Sequence, residues 1–86
     1  MFYVYLLKTE KSGKLYIGRT TNLFKRIREH NLGLVKSTKA FNPWKLVYYE
    51  SYYSSQDAED RESKLKQFGK VYSQLKRRIH RSIHPD

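Results

Sequence analysis

Glu62 stands four residues after Ala58 and three before Leu65, so helical spacing puts its carboxylate on the apolar stripe that those two define. An ionised carboxylate on a packed face must be ion-paired, strongly hydrogen-bonded or bound to a metal. A salt bridge to Arg61, Lys64 or Lys66 fits the same spacing, and Glu59, the nearest competing carboxylate, falls on a more exposed face. Arg26 and His30, also four apart, share a helical face beside Leu23 and Ile27. Arginine offers a permanently charged fork for a phosphate, and histidine a shorter donor or proton carrier. A solvated basic face is the competing account of that pair. Tyr3, Tyr5 and Tyr16 lie on strand faces opposite the simplest core face. A tyrosine hydroxyl orients or deprotonates a water when a nearby cation or metal lowers its high pKa. Most of the eight tyrosines, including Tyr48, Tyr49, Tyr52 and Tyr53, read as ordinary core or surface aromatics. Gly13 and Gly18 are small neighbours that let a substrate approach the backbone.

Further along, Lys76, Arg77, Arg78 and Arg81 make a cationic patch suited to phosphate-backbone contact. His80 and His84 have a chelating spacing but no third ligand, so a frayed basic tail is the simpler expectation. Zinc-finger spacing, a phosphate-binding glycine loop and a serine-nucleophile motif are all missing, and without cysteine there is neither a disulfide framework nor a thiolate metal site. Lys and Arg number 18 against 8 Asp and Glu, a formal net charge of +10. Such an excess favours polyanions through steering and counterion release. A membrane surface is disfavoured: nothing pairs a basic face with exposed Trp or Leu, and no run is long enough to span a bilayer. A soluble, cytoplasmic protein is expected.

These side chains need elements to hold them. The 86 residues suit one domain, 38% hydrophobic and 15% aromatic, with enough apolar matter for one small core. Phe2 to Leu7, rich in Tyr, Val and Leu, predicts a strand; Lys11-Ser12-Gly13 a turn; Leu15 to Arg19 a second strand, completing an antiparallel hairpin. Thr20-Thr21-Asn22 caps a helix whose stripe is Leu23, Phe24 and Ile27, stopped by Asn31 and Gly33. A basic loop from Leu34 to Asn42 leads to a strand over Leu46 to Tyr53. Ser54-Ser55 with Asp57 resembles a capping box for a second helix that ends near Gly69. Val71, Tyr72, Leu75, Ile79 and Ile83 support a third. The order strand, strand, helix, strand, helix, helix predicts an α+β fold, a three-stranded sheet flanked by helices.

In this order the residues resemble the GIY-YIG nuclease family. The matching positions are Tyr3-Val4-Tyr5, Tyr16-Ile17-Gly18, Arg26 with His30 on the first helix, and Glu62 on the next. The family's first triplet is often Gly-Ile-Tyr, so Tyr5 matches while Tyr3 and Val4 are variants. The resemblance spans Met1 to about Ile79 and is closest to small standalone members, grouped with the nuclease subunit of bacterial excision repair but without its further domains. It implies divalent-metal-dependent cleavage of DNA phosphodiesters, with Mg²⁺ or Mn²⁺. By position, Glu62 is the metal ligand and Arg26 meets the phosphate. Tyr5 and Tyr16 flank the attacking water, one of them as general base. His30 assists proton transfer or holds the phosphate, Gly18 keeps the site's wall open, and Arg19 falls where a basic or small residue touches the DNA backbone. Many members carry an Asn after the metal-binding glutamate; here Gln67 and Gln74 are the only amides that follow.

Two functions follow. One is an endonuclease directed by DNA structure, such as flaps, branches or damage, with little sequence preference, since base readout needs a dedicated groove-entering element. The other, motivated by the missing Asn, is a non-catalytic nucleic-acid-binding module that retains the fold. DNA is preferred to RNA as partner, and a monomer or weak dimer is expected.

Overall fold

The computed structural model describes residues 1–85. Three strands, β1 (Phe2–Thr9), β2 (Leu15–Thr20) and β3 (Trp44–Tyr52), form one antiparallel sheet in the order β2-β1-β3. The helices are α1 (Leu23–Asn31), α2 (Ser55–Leu65), α3 (Lys70–Arg78) and the single turn α4 (His80–Ile83). The predicted α+β class and element order hold. β1 is the central strand, and strand alternation sends its side chains into two separate apolar layers. Val4 and Leu6 join Ile17 against Ala58, Leu65, Leu75 and Ile83 from the later helices. Tyr5 and Leu7 join Trp44, with Tyr16, Leu23, Ile27 and Leu46 packed around them. β1 is therefore buried on both faces, and the tyrosine face is a second small core. A bulge keeps β3 in step: Leu6 pairs with Tyr48 but Leu7 with Leu46, which leaves Val47 as the extra residue.

The helix boundaries follow local chemistry. The Asn22 side chain accepts from the Lys25 amide at 3.1 Å, and the Ser54 hydroxyl from the Asp57 amide at 3.3 Å. After α1, Gly33 takes φ of +76°, and the next amide, of Leu34, reaches back to the Glu29 carbonyl at 3.0 Å.

Four sequence expectations need correction. Phe24 is not part of the apolar stripe but stands 90% exposed, because the stripe is narrow and Leu23 and Ile27 fill it. The last predicted helix is not continuous: the chain turns at Ile79, and this lets Ile83 tuck into the larger core. Its end is not a frayed tail, since Ile83 is buried and its carbonyl accepts from the Lys8 ammonium. The third strand starts at Trp44 rather than Leu46, because Trp44 pairs with Thr9 at the far end of β1.

One polar cluster fixes α2 against the sheet. Arg61 Nε and Nη2 each lie 2.9 Å from a different oxygen of Glu50 on β3, and the hydroxyls of Tyr48 and Tyr52 donate to the same carboxylate. Burial would push the Glu50 carboxyl up, but the hydrogen bonds from Arg61, Tyr48 and Tyr52 outweigh it and hold the group below its ordinary range. Burial beside that carboxylate moves both tyrosines the other way, to about 12.

Candidate active site

Tyr5 faces Gly18 across the β1–β2 ladder, and its ring lies over the glycine. A Cβ on Gly18 would stand 2.3 Å from the tyrosine hydroxyl. The room the glycine leaves is thus filled by Tyr5 rather than left open. The Tyr5 side chain is 2% exposed, and its hydroxyl lies 2.8 Å from His30 Nε2. His30, fully buried on the last turn of α1, meets the Thr38 hydroxyl at 2.7 Å through Nδ1. Thr38 donates its own proton to the Val35 carbonyl at 3.3 Å. It therefore presents a lone pair to Nδ1, so Nδ1 carries the imidazole proton and Nε2 accepts from Tyr5. Thr38 is held in turn by Trp44, whose indole N–H donates to the Thr38 carbonyl at 3.0 Å. Asn31 anchors the returning chain, donating to the Trp44 carbonyl at 3.0 Å and accepting from its amide at 2.6 Å.

The protonation states follow. Burial, reinforced by the Arg26 charge and opposed by Glu29, pushes His30 down to about 4, so the ring is neutral near pH 7. Burial pushes the Tyr5 hydroxyl up to about 12. Arg26, beside that hydroxyl, pulls the other way, while Tyr16 and Glu62 are close enough for their charges to add to the rise.

Arg26 sits one turn before His30 on α1 and bonds Glu29 at 3.1 Å. Tyr16, half-buried on β2, meets the His30 ring edge-on with centroids 5.1 Å apart and leans on Trp44. Glu62 comes from α2, on the other side of the sheet, with its side chain 16% exposed. Its carboxylate lies 3.6 Å from Arg19 Nε and 3.2 Å from Lys66 Nζ. Arg19 also reaches Glu59 at 3.5 Å, and Glu59 is the more exposed carboxylate, as expected. Arg61, a candidate partner for Glu62 by sequence, points instead to Glu50.

So Tyr5, Tyr16, Gly18, Arg26 and His30 come together on the α1 face of the β1–β2 ladder, while Arg19 and Glu62 pair with each other on the α2 face, with Glu62 near enough for its charge to be felt at the Tyr5 hydroxyl. Lys76, Arg77, Arg78 and Arg81 do not join them. They line clefts near the hairpin turn, with Gly13 and Leu15 on the rim of one, and from Leu15 to Arg19 the strand covers roughly 13 Å. Thr38 is a buried member of the site that sequence reasoning missed; it lies in an aperiodic loop, which carries no pattern to mark it. Glu29 was missed as well, although its place three after Arg26 is the signal that could have found it.

Glu62 brings one carboxylate to the site, and among the described residues no group of three His, Cys, Asp or Glu side chains could hold a metal ion. A single hard oxygen ligand fits a divalent cation that keeps most of its water or takes oxygens from a phosphate.

A family model described as the GIY-YIG catalytic domain matches residues 1–80. The chain belongs to the GIY-YIG family, whose domain is that of nucleases acting on nucleic acid, generally with divalent metal ions. It is 46% identical over 67 residues to a UPF0213 protein of Clostridium perfringens, covering 77% of this chain and 71% of that one. A UPF0213 protein of Staphylococcus haemolyticus is 44% identical over 69 residues, covering 79% and 83%. One from Haloquadratum walsbyi is 36% identical over 67 residues, covering 77% and 74%. No solved structure matches. No helix among the described residues is long and apolar enough to cross a membrane.

Proposed function

We propose that this chain, as a single catalytic unit over residues 1–86, is a divalent-metal-dependent endonuclease. It hydrolyses DNA phosphodiester bonds and chooses its targets by DNA structure rather than base sequence. The observation that supports this reading is the packing of Tyr5, Tyr16 and Arg26 around His30, with the Glu62 carboxylate near enough for its charge to act on the Tyr5 hydroxyl. Glu62 is the ligand for Mg²⁺ or Mn²⁺. A cation held there would supply Lewis-acid neutralisation of the scissile phosphate. Arg26 contributes its fixed positive charge to the same phosphate, where charge builds in the transition state.

Of the two tyrosines, the half-buried Tyr16 is the one a water can reach; its phenolate form would take the water's proton as the new O–P bond forms, and the departing oxygen leaves with the electrons of the old one. Tyr5 has its proton committed to His30. Buried beside Arg26, it steadies the arginine and the histidine that flank the attack rather than meeting the water itself. Arg19 and, farther off, Lys76, Arg77, Arg78 and Arg81 contact the DNA backbone. DNA is preferred to RNA, the active species is a monomer or weak dimer, and the setting is cytoplasmic DNA repair.

The test is cleavage of flapped, branched and plain duplex DNA with Mg²⁺ or Mn²⁺. Glu62→Ala and Arg26→Ala should each lower the rate by about 100-fold or more. Undiminished cleavage by Glu62→Ala overturns the metal role. Salt-sensitive DNA binding without cleavage in either metal would favour the alternative, a non-catalytic module.

A further inference from the structure

Phe24 stands 90% exposed on α1, directly beside the candidate active site. It forms one wall of a shallow groove with Tyr3, Leu23, Ile27, Leu46 and Tyr49. Tyr49 is 52% exposed, and its ring meets that of Tyr3 edge-on at 5.9 Å. The groove holds about 280 Å³, just under the ~300 Å³ at which drug-sized ligand clefts begin. That is room for a flat ring, not for a helix of DNA. Thr21 and Asn22 line this groove and also the neighbouring depression that contains Arg19, Lys25 and Arg26. Three cations line it with one carboxylate, Glu29, which pairs with Arg26, while Arg19 reaches Glu59 and Glu62 outside the depression.

An aromatic shelf that shares its rim with a cationic depression matches a ligand with a π face joined to a phosphate. A nucleotide has that chemistry. A base inside a duplex has both faces covered by its neighbours, so the base that lies here is unpaired. An apolar protein segment would cover the shelf but make no use of the cationic depression, where Lys25 stands beside Arg19 and Arg26.

We propose that Phe24, Tyr49 and Tyr3 form a stacking subsite for an unpaired nucleobase of the DNA, next to the phosphate that Arg26 meets. The subsite gives the structure preference of the nuclease a physical source: junctions, flaps and frayed ends expose such a base, and uninterrupted duplex does not. The inference rests on the nuclease reading only for the scissile phosphate; base stacking requires no cleavage.

The experiment is equilibrium binding in EDTA, where nothing is cut. The probes are a fluorescein-labelled single-stranded DNA 12-mer, the same strand made abasic at its central positions, and a blunt duplex of the same sequence. Phe24→Ala should weaken binding of the single strand by about tenfold, within the range of one base–aromatic stack. It should leave duplex and abasic binding within about twofold and the salt dependence unchanged, since no charge is lost. Phe24→Trp should restore the affinity, which excludes a folding defect, and Tyr49→Ala should repeat the effect of Phe24→Ala. Equal losses on all three probes, unchanged single-strand binding, or wild-type binding of the abasic strand as tight as that of the intact one overturns the proposal. So does a wild-type dimer that Phe24→Ala converts to monomer, which would assign the shelf to a second copy of the chain. If binding follows expectation while neither Mg²⁺ nor Mn²⁺ supports cutting, the subsite stands and the nuclease reading falls.

Discussion

The ring of Tyr5 rests on Gly18, and a single methyl group on the glycine would stand 2.3 Å from the tyrosine's Cζ and hydroxyl. The glycine of the second triplet is thus explained by the tyrosine of the first. Gly18→Ala should destabilise the fold by roughly 1–3 kcal/mol, the usual cost of overpacking. Tyr5→Ala in the same chain should remove most of that increment, so the two substitutions are strongly coupled. Urea unfolding midpoints of the two single variants and the double variant measure the coupling. Additive losses would show that the ring does not press on position 18.

Thr38 should act through His30. Thr38→Val keeps the shape but leaves the imidazole Nδ1–H without its acceptor, at a cost of about 1–3 kcal/mol. The ring can escape that cost by moving its proton to Nε2, which would break its acceptance from Tyr5. Nitrogen-15 NMR of labelled histidine should find Nδ1 protonated in the wild type and in Thr38→Ser, and altered in Thr38→Val. An identical His30 tautomer in all three would remove Thr38 from the site.

The elements were largely readable from the sequence because they rest on local signals. Two runs of tyrosine and aliphatic residues around a Ser-Gly turn make the hairpin, and Asn22 and Ser54 cap the helices that follow. Glu62 and the Arg26–His30 pair were legible because helical spacing is fixed. What stayed hidden depends on contacts distant in sequence. Thr38 matters only because Trp44 and His30 close around it. Arg61 belongs to Glu50 rather than to Glu62, and the bulge at Val47, which puts Tyr48, Glu50 and Tyr52 on one face, has no local mark. Phe24 satisfied the helical period yet faces solvent, since spacing alone does not say how wide the buried stripe is.

His30 should make stability depend on pH. Its folded value of about 4 lies below its ordinary value of 6.5. Between those two pH values the unfolded chain binds a proton that the folded chain refuses, so stability rises with pH across the window. The contribution is whole above about pH 6.5 and is progressively lost as pH falls to about 4, up to roughly 3 kcal/mol in all. His30→Gln should flatten the unfolding free energy across that window by about one proton. An unchanged slope would mean that the ring is not held neutral.

The Glu50–Arg61 pair should be a stability element. Glu50→Gln keeps the hydrogen-bonding shape but removes the charge, leaving Arg61 half-buried without its counterion. A loss of roughly 2 kcal/mol is expected, below the ~3–5 of a fully buried pair. Because the folded carboxyl is held below its ordinary value, this contribution is present at neutral pH and disappears as acid protonates the group. Replacing both partners together, Glu50→Leu with Arg61→Met, should cost less than Arg61→Met alone. Thermal unfolding of the three variants decides it, and independent effects would exclude the pair as a unit.

Arg19 should compete with a metal ion for Glu62. Arg19→Ala removes one of two cations beside the carboxylate, so Mn²⁺ titrated in the absence of DNA should bind more tightly to the variant. Electron paramagnetic resonance of free Mn²⁺ gives the affinity directly. DNA affinity should fall in the same variant, with a shallower salt dependence, because a backbone contact is lost. Weaker Mn²⁺ binding by Arg19→Ala would reverse the assignment.

Arg61 and Glu62 are consecutive, yet one turns to β3 and the other to the β2 side. Each added or removed residue rotates a helix by about 100°. A single insertion or deletion between Ser54 and Arg61 would swing both side chains off target together, so the pairings with Glu50 and with Arg19 would fail in one step. Change in chain length is therefore best tolerated where no such phase is kept, at the Lys11–Gly13 turn and beyond Ile83. In descent, a chain of this fold can change length only where no helical phase is kept.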